Sequence, residues 1–326
     1  MHPFTYARAS DARDASDLAR EPGSEIIAGG TDMMQLLKDD VRRPRRLVDI
    51  TALPWRTIEV SPAGLRLGAL ARMGDVADDA RVREQYPVVA QALLASASPQ
   101  VRNMATIGGN LLQRTRCVYF RDSGTACNKR APDSGCSAIG GENRLHAVLG
   151  GSDHCVATHP SDLAVALVAL DAVVIVQSAG GERRVPLEQF HLLPGDTPQH
   201  ENVLAPGDII AAIEVPAAAW ARRSHYRKVR DRASFEFALA AAAVALDIDG
   251  GTIRQARIAL GGVGTKPWRA RDAEAALAGA PADKARFAAA AARALDGARP
   301  LEQNAFKVEL AQRTLVRALA TVSERA

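Results

Sequence analysis

The chain has 326 residues, of which 47% are hydrophobic, with 41 Lys and Arg against 37 Asp and Glu. This length and composition exclude a disordered tail and a small disulfide scaffold, and they allow two or three domains with substantial cores. The formal net charge of +4 defines no basic face for nucleic acid, because acidic residues are scattered among the basic ones.

No segment has the apolar length that a membrane requires. The first 24 residues contain seven Asp, Glu and Arg side chains, so we expect no secretion signal in this chain. The longest uncharged apolar runs, such as residues 237–246, fall well short of the ~20 residues of a membrane-spanning helix. We therefore expect no membrane span.

The N-terminal part follows the order strand, glycine turn, helix, strand. Ser10 can cap a helix over residues 11–20. A short buried strand at 25–28 leads into Gly-Gly-Thr-Asp at 29–32, where Thr31 is a good N-cap for a helix over 33–40. With a further strand at 46–50, this order predicts a small parallel sheet.

The middle of the chain predicts an antiparallel region and then an irregular one. Strands at 57–60 and 65–68 flank a Ser-Pro-Ala-Gly turn, and helices follow at 74–79 and 87–96. A second Gly-Gly turn lies in residues 103–110. Residues 114–160 lack periodicity, and an irregular stretch of this length in a compact chain is usually functional or disordered. Its cysteines favour function.

The second half of the chain predicts regular elements again. Ser161 and Asp162 start an apolar helix that runs to about residue 170. The expected strands lie at 172–177, 209–215, 235–248 and 253–260, the last two forming a hairpin around Asp-Gly-Gly at 249–251. A short Ala/Arg segment at 216–223 is interpreted as a domain boundary, and three Ala-rich helices are predicted at 271–279, 283–296 and 301–322.

The two Gly-Gly turns are candidates for binding a diphosphate. Glycine has no Cβ to block an anion from backbone N–H groups, and a helix N-terminus adds partial positive charge. Neither turn matches the Rossmann or P-loop fingerprint. Each turn alone is as well explained by a tight turn, so the pair indicates a site only modestly.

All four cysteines of the chain lie within 39 consecutive residues, at positions 117, 127, 136 and 155. Disulfides would require an oxidising compartment. The spacing has no close C-x2-C pair, which disfavours zinc without excluding it. An iron–sulfur cubane needs four thiolates from different directions, which a long irregular loop can supply. We therefore favour a metal site or cluster.

Other polar residues have simpler interpretations when taken alone. His146, His154 and His159 in the cysteine segment are interpreted as solvated loop residues. Asp162 is expected to stabilise a helix dipole, and Lys228 to lie on a solvated strand edge. No Ser/His/Asp or Cys/His arrangement is apparent, so we expect a cofactor to supply the chemistry.

Four motifs occur in one order along the chain. They are I-A-G-G-T-D at 27–32, N-M-A-T-I-G-G-N-L at 103–111, P-S-D-L at 160–163 and S-F-E-F at 234–237. In sequence and spacing they resemble the FAD-binding subunits of the molybdenum hydroxylases, the xanthine dehydrogenase family. The cysteine segment is similar to the bacterial periplasmic aldehyde oxidoreductase type, in which the flavin subunit carries an extra [4Fe-4S] cluster.

The resemblance implies an α+β fold in two domains. The first would be an FAD-binding domain of the vanillyl-alcohol-oxidase or PCMH-like type over residues 1–221. It would comprise a small parallel-sheet subdomain at about 1–54 and a larger one at about 55–221, with an iron–sulfur insertion at about 114–160. The second, over residues 224–326, would be a small domain of the CO-dehydrogenase flavoprotein type, with an antiparallel sheet and three helices.

The resemblance also implies the binding residues, none of them catalytic. Those expected at the FAD diphosphate are Ile27, Ala28, Gly29, Gly30, Thr31, Asp32, Met33, Met34, Thr106, Gly109 and Asn110. Asp162 would bind ribityl or ribose hydroxyls, Ile210 would lie beside the isoalloxazine, and Lys228 would reach the flavin. The [4Fe-4S] ligands would be Cys117, Cys127, Cys136 and Cys155.

In such a complex, a molybdenum-cofactor subunit would oxidise an aldehyde or an N-heterocycle. A small subunit with [2Fe-2S] centres would pass electrons to FAD, and a small-molecule or protein acceptor would receive them. The expected location is the periplasm, reached with a signal-bearing small subunit, or the cytoplasm.

Two alternatives remain open at the level of the sequence. One is a free-standing FAD-dependent oxidase or dehydrogenase with a structural four-cysteine zinc site. The other is a four-cysteine zinc protein that binds nucleic acid, although residues 117–155 are formally neutral.

Overall fold

The computed structural model describes residues 1–324, and its N-terminal part is a three-stranded parallel sheet in the order β1-β3-β2. Its elements are β1 (Thr5–Arg8), α1 (Ala12–Arg20), β2 (Ser24–Ile27), α2 (Met33–Lys38) and β3 (Arg46–Asp49). The predicted parallel sheet is confirmed. Strand β1 was not predicted, because its residues are mostly exposed and show no apolar pattern.

Two helix starts differ from the prediction. Helix α1 is capped by Asp11, whose side chain accepts from the N–H groups of Arg13 and Asp14, while Ser10 donates to Asp14. Helix α2 begins after Asp32 rather than Thr31, and the Asp32 side chain makes no capping bond. That carboxylate has other partners, described below.

A five-stranded antiparallel sheet forms the second layer, in the order β4-β5-β8-β6-β7. The strands are β4 (Ile58–Ser61), β5 (Gly64–Gly68), β6 (Val173–Ser178), β7 (Gly181–Pro186) and β8 (Ile209–Pro216). Val176 pairs with Ile210 and Ile175 with Ala212, so Ala211 forms a bulge. Bulges redirect neighbouring side chains, and this one lies beside Ile210.

Short helices pack around this sheet. They are α3 (Met73–Asp78), α4 (Ala80–Gln85), α5 (Pro87–Ala95), α6 (Pro99–Arg102), α7 (Ile107–Leu111), α8 (Val118–Arg121), α9 (Asp162–Ala169) and α10 (Leu187–Phe190). Every residue of α9 is buried, as expected for a helix that is apolar on all sides. The Ser161 hydroxyl accepts from the N–H of Ala164 at 2.9 Å, so the predicted cap is confirmed.

The C-terminal part follows a 3-10 turn at Ala219–Arg222 and contains a four-stranded antiparallel sheet in the order β12-β11-β10-β9. Its elements are β9 (Ser224–Val229), β10 (Ala240–Asp249), β11 (Thr252–Gly261), β12 (Trp268–Arg269), α11 (Arg271–Leu277), α12 (Lys284–Ala294) and α13 (Phe306–Ser323). The predicted hairpin, three helices and α+β class are confirmed.

The alanine run in β10 is explained by burial on both faces. Ala240, Ala242 and Val244 belong to the core under the C-terminal helices. Ala241 and Ala243 pack into the core of the preceding part of the chain. Because neighbouring strand residues face opposite sides, one strand of small side chains joins the two cores.

No helix within residues 1–324 is both long and apolar enough to cross a lipid bilayer.

Candidate functional site

A cavity of about 630 Å³ opens between the parallel sheet, the second glycine turn and strand β9. This volume is within the range of small-molecule and cofactor sites. All of the residues predicted to bind FAD line it, apart from Met34. Met34 is 37% exposed and does not line the cavity, and its contact with the diphosphate stays a prediction.

The two glycine turns meet at the wall of this cavity. A Cβ on Gly29 would lie 2.0 Å from the carbonyl oxygen of Met104, just before the second turn, and a Cβ on Gly108 would lie 2.9 Å from the Cβ of Ala69. Gly30 has φ +72°, a conformation that favours glycine. These positions require glycine for close backbone packing, and the same packing leaves an open backbone surface toward the cavity.

Asp32 in the first turn is neutralised by arginines from the cysteine segment. Its Oδ1 lies 2.9 Å from nitrogens of both Arg116 and Arg121. Its Oδ2 accepts from the backbone N–H of Arg114 at 2.7 Å. A carboxylate in a turn that faces an anionic ligand would repel that ligand, and the two guanidinium groups offset its charge.

Asp162 is the centre of a buried polar network. Its Oδ1 accepts from the hydroxyl of Tyr226 at 2.6 Å, and its Oδ2 accepts from Ser96 at 2.9 Å and from Lys228 Nζ at 2.7 Å. Burial, with the Asp162 charge, raises the pKa of Tyr226 well above its usual value. A carboxylate has about four lone-pair positions, so three protein donors leave room for one more.

Lys228 is therefore not a solvated strand-edge residue. Its side chain is only 3% exposed, and its ammonium also donates to the carbonyl of Ala95 at 3.1 Å. The sequence signal that could have indicated a buried role for Lys228 was its spacing from Tyr226, which places both residues on one face of β9. Sequence alone did not indicate that Asp162, 66 residues earlier, lies opposite that face.

A second, smaller cavity is lined by all four cysteines. Cys127 and Cys136 pair across an isolated antiparallel bridge. The four thiols are free, so the structure contains none of the disulfides considered above. Burial raises the pKa of Cys117 to about 12 and also raises that of Cys155.

The donor set fits a thiolate-bound group. Four sulfurs reach one cavity from separate parts of the segment, and their burial disfavours thiolate anions unless positive charge is supplied. Within residues 1–324, no three or more His, Cys, Asp or Glu side chains are arranged to hold a single metal ion.

The three histidines of this segment have different environments. His154 is exposed, in agreement with a solvated loop residue. His146 is buried, and its Nε2 lies 3.2 Å from the Sγ of Cys117. The ring of His159 packs edge-on against that of His191, with centroids 4.4 Å apart. The solvated interpretation was therefore wrong for His146.

Ion pairs connect the two cavities. Lys129 lines the cysteine cavity and lies 2.9 Å from Glu201, which also pairs with Arg114 at the larger cavity. The Lys129 charge lowers the pKa of Cys155, against the effect of burial. Lys129, Glu201 and Arg114 were not among the predicted site residues, because charged partners separated by 72 or more positions leave no local pattern in the sequence.

The fold and the two cavities define an α+β protein with a glycine-lined cofactor site and a separate four-thiol site. Residues 2–218 match the FAD binding domain in molybdopterin dehydrogenase, and residues 224–322 match the CO dehydrogenase flavoprotein C-terminal domain. The chain belongs to this family of FAD-binding proteins and is an oxidoreductase subunit. The predicted family is confirmed.

Individual relatives cover most or all of the chain. The aldehyde oxidoreductase FAD-binding subunit PaoB of Escherichia coli (strain K12) is 46% identical over 100% of both chains. The glyceraldehyde dehydrogenase medium chain of Sulfolobus acidocaldarius is 29% identical over 84% of this chain and 81% of its own. In the solved structure of reconstituted CO dehydrogenase from Oligotropha carboxidovorans, a chain 22% identical matches with a TM-score of 0.78, covering 100% of this chain and 99% of that one.

Proposed function

We propose that this chain is the FAD- and [4Fe-4S]-carrying electron-transfer subunit of a heterotrimeric molybdenum-containing oxidoreductase. Its partners are a molybdenum-cofactor subunit that oxidises an aldehyde or an N-heterocycle and a small subunit with [2Fe-2S] centres. The full-length similarity to an aldehyde oxidoreductase subunit favours an aldehyde. When bound in this chain, FAD would supply the electron transfer between the small subunit and an external acceptor.

The main support is the presence of two different sites in one chain. The first is the large cavity lined by both glycine turns, in a domain of an FAD-binding family. The second is the small cavity lined by four buried or half-buried thiols. FAD accepts and releases electrons one or two at a time, which lets it connect one-electron centres to other acceptors.

This chain's residues bind and tune the cofactors. Gly29 and Gly30 keep the first turn open to the diphosphate. Arg116 and Arg121 offset the negative charge of Asp32 beside it. The Asp162 network fixes Lys228 at the cavity wall. The four cysteines ligate the cluster, and their burial limits the access of water to it.

The test is cofactor analysis of the complex purified without oxygen from cells that express all three subunits. We expect FAD, iron and labile sulfide beyond the amount that the [2Fe-2S] centres contain, and bleaching of the flavin absorbance when an aldehyde is added. Zinc in the complex, with no iron and labile sulfide beyond those of the [2Fe-2S] centres, would contradict the cluster. A complex that binds no flavin would contradict the proposed function itself.

A further inference from the structure

His146 is held against one of the cysteine ligands of the proposed cluster. Its side chain is buried, with 5% of the residue exposed, and its Nε2 lies 3.2 Å from the Sγ of Cys117. Its backbone N–H donates to the carbonyl of Asn143 at 3.0 Å. The imidazole is thus fixed on the sulfur rather than free to rotate into solvent.

The C-terminal domain fixes the backbone of the same residue. The carbonyl of His146 accepts from Lys307 Nζ at 2.9 Å and from Asn304 Nδ2 at 3.2 Å. Lys307 is fully buried in α13 and also donates to the carbonyls of Leu145 and Gly262. Buried polar networks that are satisfied in this way rigidify the groups they bind.

We infer that His146 is a positioning residue for Cys117, to which its Nε2–H donates a hydrogen bond that raises the reduction potential of the cluster. The inference rests on the cluster of the proposed function. Reduction adds negative charge that is shared by the cluster and its sulfurs, so an N–H dipole aimed at a ligand sulfur stabilises the reduced state more than the oxidised one. Removing the donor therefore makes reduction harder.

The test compares His146→Leu, which removes the donor, with His146→Gln, which keeps an N–H at a similar reach. The control is His2→Leu, because His2 pairs with Asp40 at 3.0 Å and lines neither the large cavity nor the cysteine cavity. Each variant is made in the purified three-subunit complex. Iron, labile sulfide and FAD are quantified first, and the midpoint potential of the cluster is then measured by redox titration followed by EPR.

We expect His146→Leu to keep iron and sulfide. At a fixed potential, its ratio of reduced to oxidised cluster should fall about tenfold, which corresponds to a midpoint potential about 59 mV lower for a one-electron couple. His146→Gln recovers most of this change, and His2→Leu leaves the potential unchanged. A purely structural role for His146 would change cluster content without moving the potential of the clusters that remain.

The outcomes separate this inference from the proposed function. An unchanged potential in His146→Leu overturns the inference and leaves the proposed function intact, whereas a wild-type complex with no labile sulfide beyond that of the [2Fe-2S] centres overturns both. If His146→Leu does not assemble its cluster, the hydrogen bond is tested by pulsed EPR of the reduced wild-type complex labelled with ¹⁵N-histidine. A coupling between the cluster and a histidine nitrogen that persists in His154→Leu supports the hydrogen bond, and the absence of such a coupling in the wild type overturns it.

Discussion

Replacing Lys228 with methionine tests whether the Asp162 network is a buried ion pair with a real energetic role. The ammonium and the Asp162 carboxylate are 2.7 Å apart, and their side chains are 3% and 6% exposed. Methionine has a similar length and no charge, so Lys228→Met removes the cation and leaves the carboxylate in place. Ser96 and Tyr226 remain as its donors.

The expected loss in unfolding free energy is about 3 kcal/mol, at the low end of the roughly 3–5 kcal/mol for breaking a buried pair by removing one partner. The value is at the low end because two hydrogen bonds to Asp162 persist. The variant also loses the bond from Lys228 to the carbonyl of Ala95, which contributes only about 1 kcal/mol of the total.

Arg230 provides the matched control. It lies two residues further along the chain and donates to the same Ala95 carbonyl at 2.9 Å, but the contacts of Asp162 described above do not include it. Arg230→Met should therefore cost about 1 kcal/mol. Both variants are unfolded in urea after FAD has been removed, since a ligand that binds only the folded state adds stability according to its affinity, and Lys228 lines the flavin cavity.

A double variant isolates the charge. Lys228→Met combined with Asp162→Asn removes both ions and should be more stable than Lys228→Met alone, because no uncompensated carboxylate remains. A loss of unfolding free energy in Lys228→Met that is no larger than that in Arg230→Met would refute an energetic role for the ion pair. A double variant that is less stable than Lys228→Met alone would refute it as well.

Three further predictions concern the turn, the cluster and pH. Gly29→Ala should release FAD, because its Cβ would lie 2.0 Å from the Met104 carbonyl oxygen; Gly180→Ala, which meets only one side-chain atom at 3.9 Å, should bind FAD as the wild type does. Cys136→Ser should lose the iron and sulfide of the [4Fe-4S] cluster but keep FAD in cofactor analysis. Loss of the cluster together with FAD from a folded protein would show that the hairpin of Cys127 and Cys136 also shapes the flavin cavity. Burial lowers the pKa of Lys307 from 10.5 to about 7, so the unfolded chain binds more protons between these values and stability should rise with pH through that window. Lys307→Met should lack this rise in urea unfolding, and an equal rise in both proteins would contradict the assignment.

The elements that could be predicted from the sequence are those with a local pattern. The Asp-Gly-Gly turn at 249–251 decided in favour of strands for an alanine run that is also compatible with a helix, and burial on both faces of β10 explains its composition. Strand β1 could not be predicted, because it is held by pairing to β3 rather than by an apolar face.

In the candidate site too, residues in local motifs could be predicted and long-range contacts could not. The glycine turns and the cysteine group are visible as motifs, so their residues could be selected. The partners of those residues could not. Asp32 meets Arg121 across 89 positions and Asp162 meets Lys228 across 66. Contacts of this kind depend on how the elements pack, and neither periodicity nor spacing records them.

These long-range contacts explain how an irregular segment is held without a core of its own. A small apolar cluster of Leu36, Phe120 and Cys127 joins it to helix α2, and its Val148 and Leu149 pack into the core under the C-terminal helices. Near the flavin cavity, charged groups between residues 114 and 121 pair with Asp32 and Glu201, and Lys129 also pairs with Glu201. Cys136 lies beyond these anchors, in the hairpin with Cys127. Because Arg116 and Arg121 precede that hairpin, losing one thiolate leaves the charge around Asp32 balanced, and this is the physical reason to expect flavin binding to survive the loss of the cluster.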